Sequence, residues 1–363
     1  MTRATSSWLR LSDEALSQTS IAIVIPSFNV ANEIEAVLQS IPPFVRHVIV
    51  VDDASTDDTA RIVARIAQRD SRIILRRHET NQGVGGAMVT GFQTALSLDA
   101  EIIVKIDGDG QMDARELPRL VVPLVKREAD YTKANRFEDF KALARMPHLR
   151  RAGNIALSFL AKAATGYWNC FDPTNGFVAI RREVLIELPL ESIDRSYFFE
   201  HSMLAQLYLV GAVVHEVYMP ARYGAECSHL SIARVLKQFP DRLVKCFLKR
   251  ILLKNFVYDF TMASIYLLVG LPMLLWGVAF GGYHWYVSLS TGIPAHTGTV
   301  VIPSLLIILG VEFLLAAISI DLQQVPREPR CRITIADPWI SIPASEEMAV
   351  WHQSVADDIR SRR

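Results

Sequence analysis

The sequence predicts an α/β domain built on a mostly parallel sheet, then an amphipathic helical stretch, then a hairpin of two membrane-spanning helices. Three observations carry this. Runs of β-forming residues alternate with helical apolar spacing from Ile21 onward. Basic residues interleave with apolar ones over 231–259. Two long apolar segments follow at 260–282 and 300–320.

The first strand is "IAIVIPSF" (Ile21–Phe28), ended by Pro and Ser. A helix over Ala31–Ile41 is spaced by Ile34, Val37, Leu38 and Ile41. "HVIVVDD" (His47–Asp53) is the second strand, and "STDDTARIVARIAQRD" the helix after it, opened by capping residues. "RIILRRH", "GGAMVTGFQTALSLD" and "EIIVKID" continue as strand, helix and strand. Strands alternating with helices mean βαβ units and a parallel sheet. Ligands of such sheets sit beyond the carboxyl ends of the strands. Pro26–Asn29, Asp52–Asp53 and Asp107–Asp109 all fall there. From Val121 to about Gly224 the pattern is less regular.

Between Ser231 and Asp259, Val235, Phe239, Leu243, Phe247 and Ile251 recur at near-helical spacing among seven basic residues. The stretch reads as a helix lying on a membrane surface or as a solvated helix on the domain. Phe260–Gly282 has no charge in 23 positions, and Val300–Ile320 has only Glu312 in 21. Each is long enough to cross about 30 Å of hydrocarbon. The loop Tyr283–Thr299 has no Lys or Arg while both flanks do, so the loop is expected outside and both flanks in the cytoplasm. Glu312 is either a functional intramembrane carboxylate or faces a partner helix or subunit. The expected organisation is an extension over 1–20, a catalytic domain over 21–230, amphipathic helices over 231–259, a transmembrane hairpin over 260–321 and a cytoplasmic tail over 322–363. Tail and membrane helices could mediate a homo-oligomer.

The chain has 363 residues, and Lys+Arg balances Asp+Glu at 38 each, so no global field points to nucleic acid. Mean hydropathy is +0.22, high for a soluble protein. Cys170, Cys227, Cys246 and Cys331 form no CxxC pair and read as reduced thiols. The first twenty residues contain no apolar run of signal-peptide type.

The chemistry concentrates in "VKIDGDGQMD" (Val104–Asp113). Asp107 and Asp109 stand at i and i+2 where a buried strand turns, and Gln111 adds an oxygen at i+4. Hard divalent cations take oxygen ligands, and Mg²⁺ is commonly held by one or two carboxylates plus substrate phosphates. Asp113 falls outside that spacing and reads as a helix cap for "ARELPRLV". Asp52 and Asp53 could accept from a base or a ribose hydroxyl, while Ser55 and Asp57 cap the next helix. The glycines of "NQGVGGAMVTGF" (Asn81–Phe92) suit close approach of a nucleotide to the backbone, or simply a tight turn. Arg136, Arg150, Arg151 and Arg222 lie in loop-like stretches and are suited to phosphate.

Taken in order, "VIPSFN", "VVDDASTDDT", "NQGVGGA", "DGDGQ", "DPTNGF" and "RYGAECS" resemble family 2 glycosyltransferases with the Rossmann-like GT-A fold. More closely, they resemble the polyprenol-phosphate glycosyltransferases, the group that includes dolichyl-phosphate mannose synthases. The resemblance covers about Ile21–Leu230 and the membrane segments. It implies transfer of a sugar from a UDP- or GDP-linked donor to a polyprenyl phosphate, with Mg²⁺ or Mn²⁺ and with inversion. By motif, Pro26, Asn29 and Asp53 would hold the nucleotide, with Asp52, Gly83 and Gly86 beside them. Asp107, Asp109 and Gln111 match the metal set. Arg136, Arg151 and Arg222 would grip the acceptor phosphate, and Asp172 and Glu200 would position it or act as base.

Three departures from the family pattern stand out. Val84 replaces a common Lys, no Arg follows "DPTNGF", and the acid pair near Glu200 is Glu-His. No QxxRW motif of processive synthases is present, since "QFPDR" lacks the Trp. A family 2 enzyme with another lipid-linked or glycan acceptor, and a membrane-tethered binding protein without activity, are the competing readings.

Overall fold

The computed structural model of the protein describes residues 15–135, 148–219 and 232–330, with the backbone alone for 148–156 and 232–238. Arg136 and Arg222, Cys227 and Cys331, and the tail from 331 lie outside the described residues.

Among the described residues, seven strands form one sheet in the order β3-β2-β1-β4-β6-β5-β7. They are β1 Ile21–Ser27, β2 His47–Asp52, β3 Ile73–Arg77, β4 Ile102–Lys105, β5 Tyr131–Asn135, β6 Val178–Arg181 and β7 Val214–Tyr218. All neighbouring pairs are parallel except those of β6, which runs against both β4 and β5. The expected mostly parallel sheet is present. The chain runs outward from β1 to β2 and β3 on one side, then crosses back to β4 on the other side of β1, so the switch point lies between β1 and β4.

The helices around it are α1 Ile34–Ser40, α2 Thr59–Ala67, α3 Gly83–Ser97, α4 Leu117–Val125, α5 His148–Thr165, α6 Arg182–Glu187 and α7 Phe199–Leu209. Apolar residues cover both faces of the sheet. On one face Ile23, Ile25, Val50 and Val104 pack under α1 and α4; on the other, Val24, Ile49, Val51 and Ile103 pack under α3 and α7. Burial on both faces explains why β1, β2 and β4 read as apolar runs.

Helix α8 (Ile232–Leu252) ends in a π-turn over Leu253–Tyr258. The stripe expected to meet the membrane instead meets the domain. Phe239, Leu243 and Phe247 pack against Ala161, Ala164 and Phe198. Periodicity marks an apolar face but not what covers it. A second row, Val244, Leu248 and Leu252, is exposed and continues into Val257, Tyr258 and Phe260.

Helices α9 (Met262–Thr291) and α10 (Thr297–Gln323) form an antiparallel pair whose apolar windows are only 22% and 17% buried. Gly270 and Gly310 lie in their contact, where a Cβ would fall within 3 Å of Phe313 and Leu274. Glu312 is exposed on the outer surface rather than turned to the other helix. At the domain end, Asp321 of α10 accepts from Arg250 of α8 and from Trp168 and Tyr208 of the domain.

Candidate active site

The carboxyl ends of β1, β2 and β4 are neighbours, and their loops bring the predicted residues together. Pro26 and Ser27 close β1 opposite Val51 and Asp52 of β2. Asn29 adopts φ 54°, and its Oδ1 accepts from the Thr56 amide at 2.8 Å. Its own N–H donates to Ser55 Oγ at 3.0 Å, so Asn29 joins the first loop to the second. Burial alone would raise the pKa of Asp57, but it accepts from the Ala31 and Thr59 amides and the Thr59 hydroxyl, and these bonds together hold its carboxyl below the ordinary range.

Asp53 is buried, and both its oxygens are engaged. Oδ1 accepts from the Gln82 amide at 2.8 Å and from His78 Nδ1 at 2.7 Å, and Oδ2 from the Gly83 amide at 2.7 Å. His78 Nε2 lies 2.9 Å from Thr90 Oγ1. Asp53 therefore ties down the glycine-rich turn that opens α3. Asp52 is fully buried, accepts from the Ser55 amide and faces Arg77 at 3.2 Å.

The sequence offers the glycines of that turn to a nucleotide or simply to a tight turn. Their close neighbour is protein backbone. Gly83 has φ 81°, and a Cβ there would fall 2.4 Å from the Arg195 carbonyl oxygen; one on Gly85 would fall 2.0 Å from that of Asp194. The Gly85 and Gly86 amides both donate to the Arg195 carbonyl, at 2.9 and 3.3 Å. The Gly83 and Gly86 amides are thus used within the protein. Val84, standing where a lysine was expected, packs against the core.

The acidic turn follows β4. Asp107 and Asp109 are partly exposed and Gln111 is exposed. Asp109 Oδ1 accepts from the Gln111 amide at 3.0 Å, and Asp107 keeps 31% side-chain exposure. The donor atoms are all oxygen on an open turn, a set that suits a hard cation completed by substrate phosphates. Among the described residues no group of three or more His, Cys, Asp or Glu is arranged to hold a metal unaided. Asp113 caps the short helix after the turn, accepting from the Arg115 amide, as expected.

Lys105 is the residue the sequence reading missed. Its side chain is 1% exposed, and Nζ donates to Asp107 Oδ1 at 2.6 Å and to Glu200 Oε1 at 3.4 Å. Burial alone would lower its pKa, but Asp107 and Glu200 outweigh that and raise it. Gly176 of "DPTNGF" makes room, since a Cβ there would fall 2.4 Å from Lys105 Nζ. The one available signal was a lone cation inside "EIIVKI". Pairing register carries the row onward from Lys105 to Val178, Lys133 and Glu216. Buried Lys133 donates to the Asn175 carbonyl, and burial lowers its pKa. Glu216 Oε1 accepts from the Phe171 and Asp172 amides, both at 2.8 Å.

Glu200, in the first turn of α7, is thus one lysine away from Asp107. Asp172 is fully buried, and its oxygens accept from Thr174 Oγ1 and Asn175 Nδ2 at 3.2 and 3.3 Å. It shapes the "DPTNGF" turn and does not line an open cleft. Arg150 and Arg151 fall in the first turn of α5, with side chains outside the described set.

The chain is similar to several known proteins. The model for "Glycosyl transferase family 2" matches residues 22–188. A UDP-N-acetylglucosamine–dolichyl-phosphate N-acetylglucosaminyltransferase of Methanococcus voltae is 29% identical over 46% of this chain and 70% of its own. An undecaprenyl-phosphate mannosyltransferase of Micrococcus luteus is 28% identical over 54% of this chain and 81% of its own. An uncharacterised glycosyltransferase of Mycobacterium bovis is 30% identical over 54% of this chain and 83% of its own. With a sheet of the GT-A kind, an acidic turn at its switch point and these relatives, the chain belongs to glycosyltransferase family 2.

Proposed function

We propose that the chain transfers a sugar from a UDP- or GDP-sugar to a polyprenyl phosphate, with inversion, at the cytoplasmic face of a membrane that it spans twice. The observation that carries this reading is the open Asp107–Asp109 turn at the β1–β4 switch point, on a chain with two long, mostly exposed apolar helices. The acceptors named for the Methanococcus and Micrococcus relatives support the acceptor class. Absence of Lys and Arg from the loop between α9 and α10 supports a cytoplasmic catalytic domain.

A phosphate nucleophile is already anionic near neutral pH, so attack needs no strong base. An acceptor phosphate oxygen bonds to the anomeric carbon as the bond to the donor diphosphate breaks on the opposite face. Catalysis then consists of holding two anions in line and screening them. Asp107, Asp109 and Gln111 would hold Mg²⁺ or Mn²⁺, which when bound neutralises charge on the departing nucleoside diphosphate. Lys105 fixes Asp107 from below. Pro26, Asn29, Asp52 and Asp53 shape the nucleotide end, Asp53 by anchoring the Gly83 turn. Arg136, Arg151 and Arg222 are assigned to the acceptor phosphate. Glu200 positions groups around it, and Asp172 contributes by shaping the "DPTNGF" turn.

The test incubates purified protein with a panel of UDP- and GDP-sugars, Mg²⁺ or Mn²⁺, and polyprenyl phosphate. Mass spectrometry reads the lipid products. A sugar-linked polyprenyl phosphate is expected from at least one donor. Its absence with every donor overturns the acceptor assignment, and transfer to a glycan instead favours the other family 2 reading.

A further inference from the structure

Helix α8 reaches the donor end of the site through one segment of chain. Its Arg242 NH1 donates to Ser196 Oγ and lies 3.4 Å from Asp194 Oδ2. Asp194 Oδ1 accepts from the Ser196 amide at 2.7 Å and its hydroxyl at 2.6 Å, so residues 194–196 form a tight polar turn. The Asp194 amide donates to Ser202 Oγ of α7 at 2.9 Å, which seats the turn on that helix. The Arg195 carbonyl of the same turn accepts the Gly85 and Gly86 amides at the start of α3. Next to these, the Gly83 amide donates to Asp53. The path from α8 to the end of β2 is therefore short: Arg242, Asp194–Ser196, Gly83–Gly86, Asp53.

Two features make this path able to move something. A cavity of about 260 Å³ lies between α7 and α8, lined in part by Asp194, Ser202, Arg242 and Cys246. Close-packed interiors transmit shifts stiffly, whereas a cavity lets one wall move by itself. At the far wall the fit leaves little slack, because Cβ atoms on Gly85 and Gly83 would fall only 2.0 and 2.4 Å from the Asp194 and Arg195 carbonyl oxygens. A shift of the 194–196 turn must therefore displace the glycine turn. Meanwhile α8 carries the exposed row Val244, Leu248 and Leu252 on its outer side, suited to a lipid surface.

We infer that Arg242 and the Asp194–Ser196 turn are a positioning relay, through which the seating of α8 on the domain sets the shape of the Gly83–Gly86 turn and so the affinity for nucleoside diphosphate. The inference rests on the donor site proposed above. Arg242 touches neither substrate in this scheme; it acts through the Arg195 carbonyl. By linkage, nucleotide binding and the contact of α8 with a lipid surface strengthen one another by the same factor.

The experiment measures equilibrium binding of UDP and of GDP, each with Mn²⁺, to the full-length protein in detergent and in phospholipid vesicles. In Arg242→Ala, affinity for the nucleotide that binds wild type falls about five- to tenfold. Arg242→Lys restores most of it, because an ammonium can still meet Ser196 and Asp194. Ser196→Ala, a milder change, weakens binding in the same direction and decides the matter if Arg242→Ala misfolds. Steady-state rates show the loss in the KM for donor, with kcat at saturating donor nearly unchanged. Wild-type affinity is higher in vesicles than in detergent, and Arg242→Ala loses that difference. Binding of neither nucleotide by wild type overturns the donor reading itself. Binding by wild type together with affinities within twofold in Arg242→Ala and Ser196→Ala overturns the relay alone. A fall in kcat with unchanged donor KM likewise overturns it.

Discussion

Arg250 of α8 and Asp321 of α10 form a bidentate ion pair, with NH1 2.8 Å from Oδ1 and NH2 3.0 Å from Oδ2. The guanidinium side chain is 1% exposed and also donates to the Ala163 and Ala164 carbonyls at the end of α5. One side chain thus joins the catalytic domain, the helix lying along it and the apolar hairpin. Removing one partner of a buried pair strands a charge and costs about 3–5 kcal/mol. Asp321→Asn and Arg250→Met should each lower the thermal midpoint in detergent. The double variant Arg250→Met, Asp321→Leu should recover part of the loss, since both charges of the pair go together and Lys254, 3.8 Å from Asp321, is partly exposed to water. Additive losses in the double variant would show that the two residues do not act as a pair.

Lys105 gives a second prediction. Its ammonium is the cation that holds Asp107, 2.6 Å away, and it reaches Glu200 on α7. Lys105→Met leaves these carboxylates facing each other across an apolar gap. Losing a charge-assisted hydrogen bond of this kind costs about 1.5–3 kcal/mol, so transfer should fall roughly ten- to a hundredfold. Gly176→Ala should mimic it in part, because the new Cβ would press on Nζ. Wild-type kcat/KM in folded Lys105→Met would remove Lys105 from the site.

Strands β1, β2 and β4 were legible because burial on both faces makes each an apolar run, and the carboxylates at the ends of β2 and β4 stand out; β3, at the sheet edge, is apolar only over Ile73–Leu75. Strands β5 and β7 were not. "YTKAN" and "VHEVY" carry Lys133 and Glu216 in the middle, and these charges are satisfied by the Asn175 carbonyl and the 171–172 amides. No local pattern reveals such distant partners. The same limit explains the glycine turn. The sequence marks Gly83 and Gly85 as places of close approach, but the chain that approaches lies at 194–195, more than a hundred residues on. Asp107, Asp109 and Gln111 could be read because all their spacing is local.

The acidic turn predicts a metal requirement with a specific profile. Chelation with EDTA should abolish transfer, and Mg²⁺ or Mn²⁺ should restore it. Asp109→Asn keeps the shape and the acceptor toward the Gln111 amide but removes a charge. Loss of preorganised charge stabilisation at a reacting centre costs about a hundred- to a thousandfold in rate. Undiminished transfer by Asp109→Asn, or activity that survives EDTA, would overturn the assignment of Asp107, Asp109 and Gln111 to a metal.

Stability should depend on acid through His201. Its ring stacks on Phe198 at 5.1 Å between centroids and meets Phe239 edge-on at 5.6 Å. It is 1% exposed, and neither ring nitrogen has a hydrogen-bond partner among the described residues. Burial, reinforced by the charge on Lys133, lowers its pKa from 6.5 to about 3. Between those values the unfolded chain takes up a proton that the folded chain refuses. The contribution is therefore complete above about pH 6.5 and is lost as pH falls toward 3, at about 1.4 kcal/mol per pH unit. At pH 4.5 the loss is roughly 2–3 kcal/mol. His201→Leu keeps the apolar contact with Phe198 and Phe239 and removes the titration. Urea midpoints of wild type and His201→Leu, taken from pH 7 to 4.5, should diverge, with the variant falling less steeply. It should also match or exceed wild type at pH 7, because an unpaired buried imidazole is replaced by an apolar group. Parallel acid losses in the two proteins would assign the sensitivity to other groups.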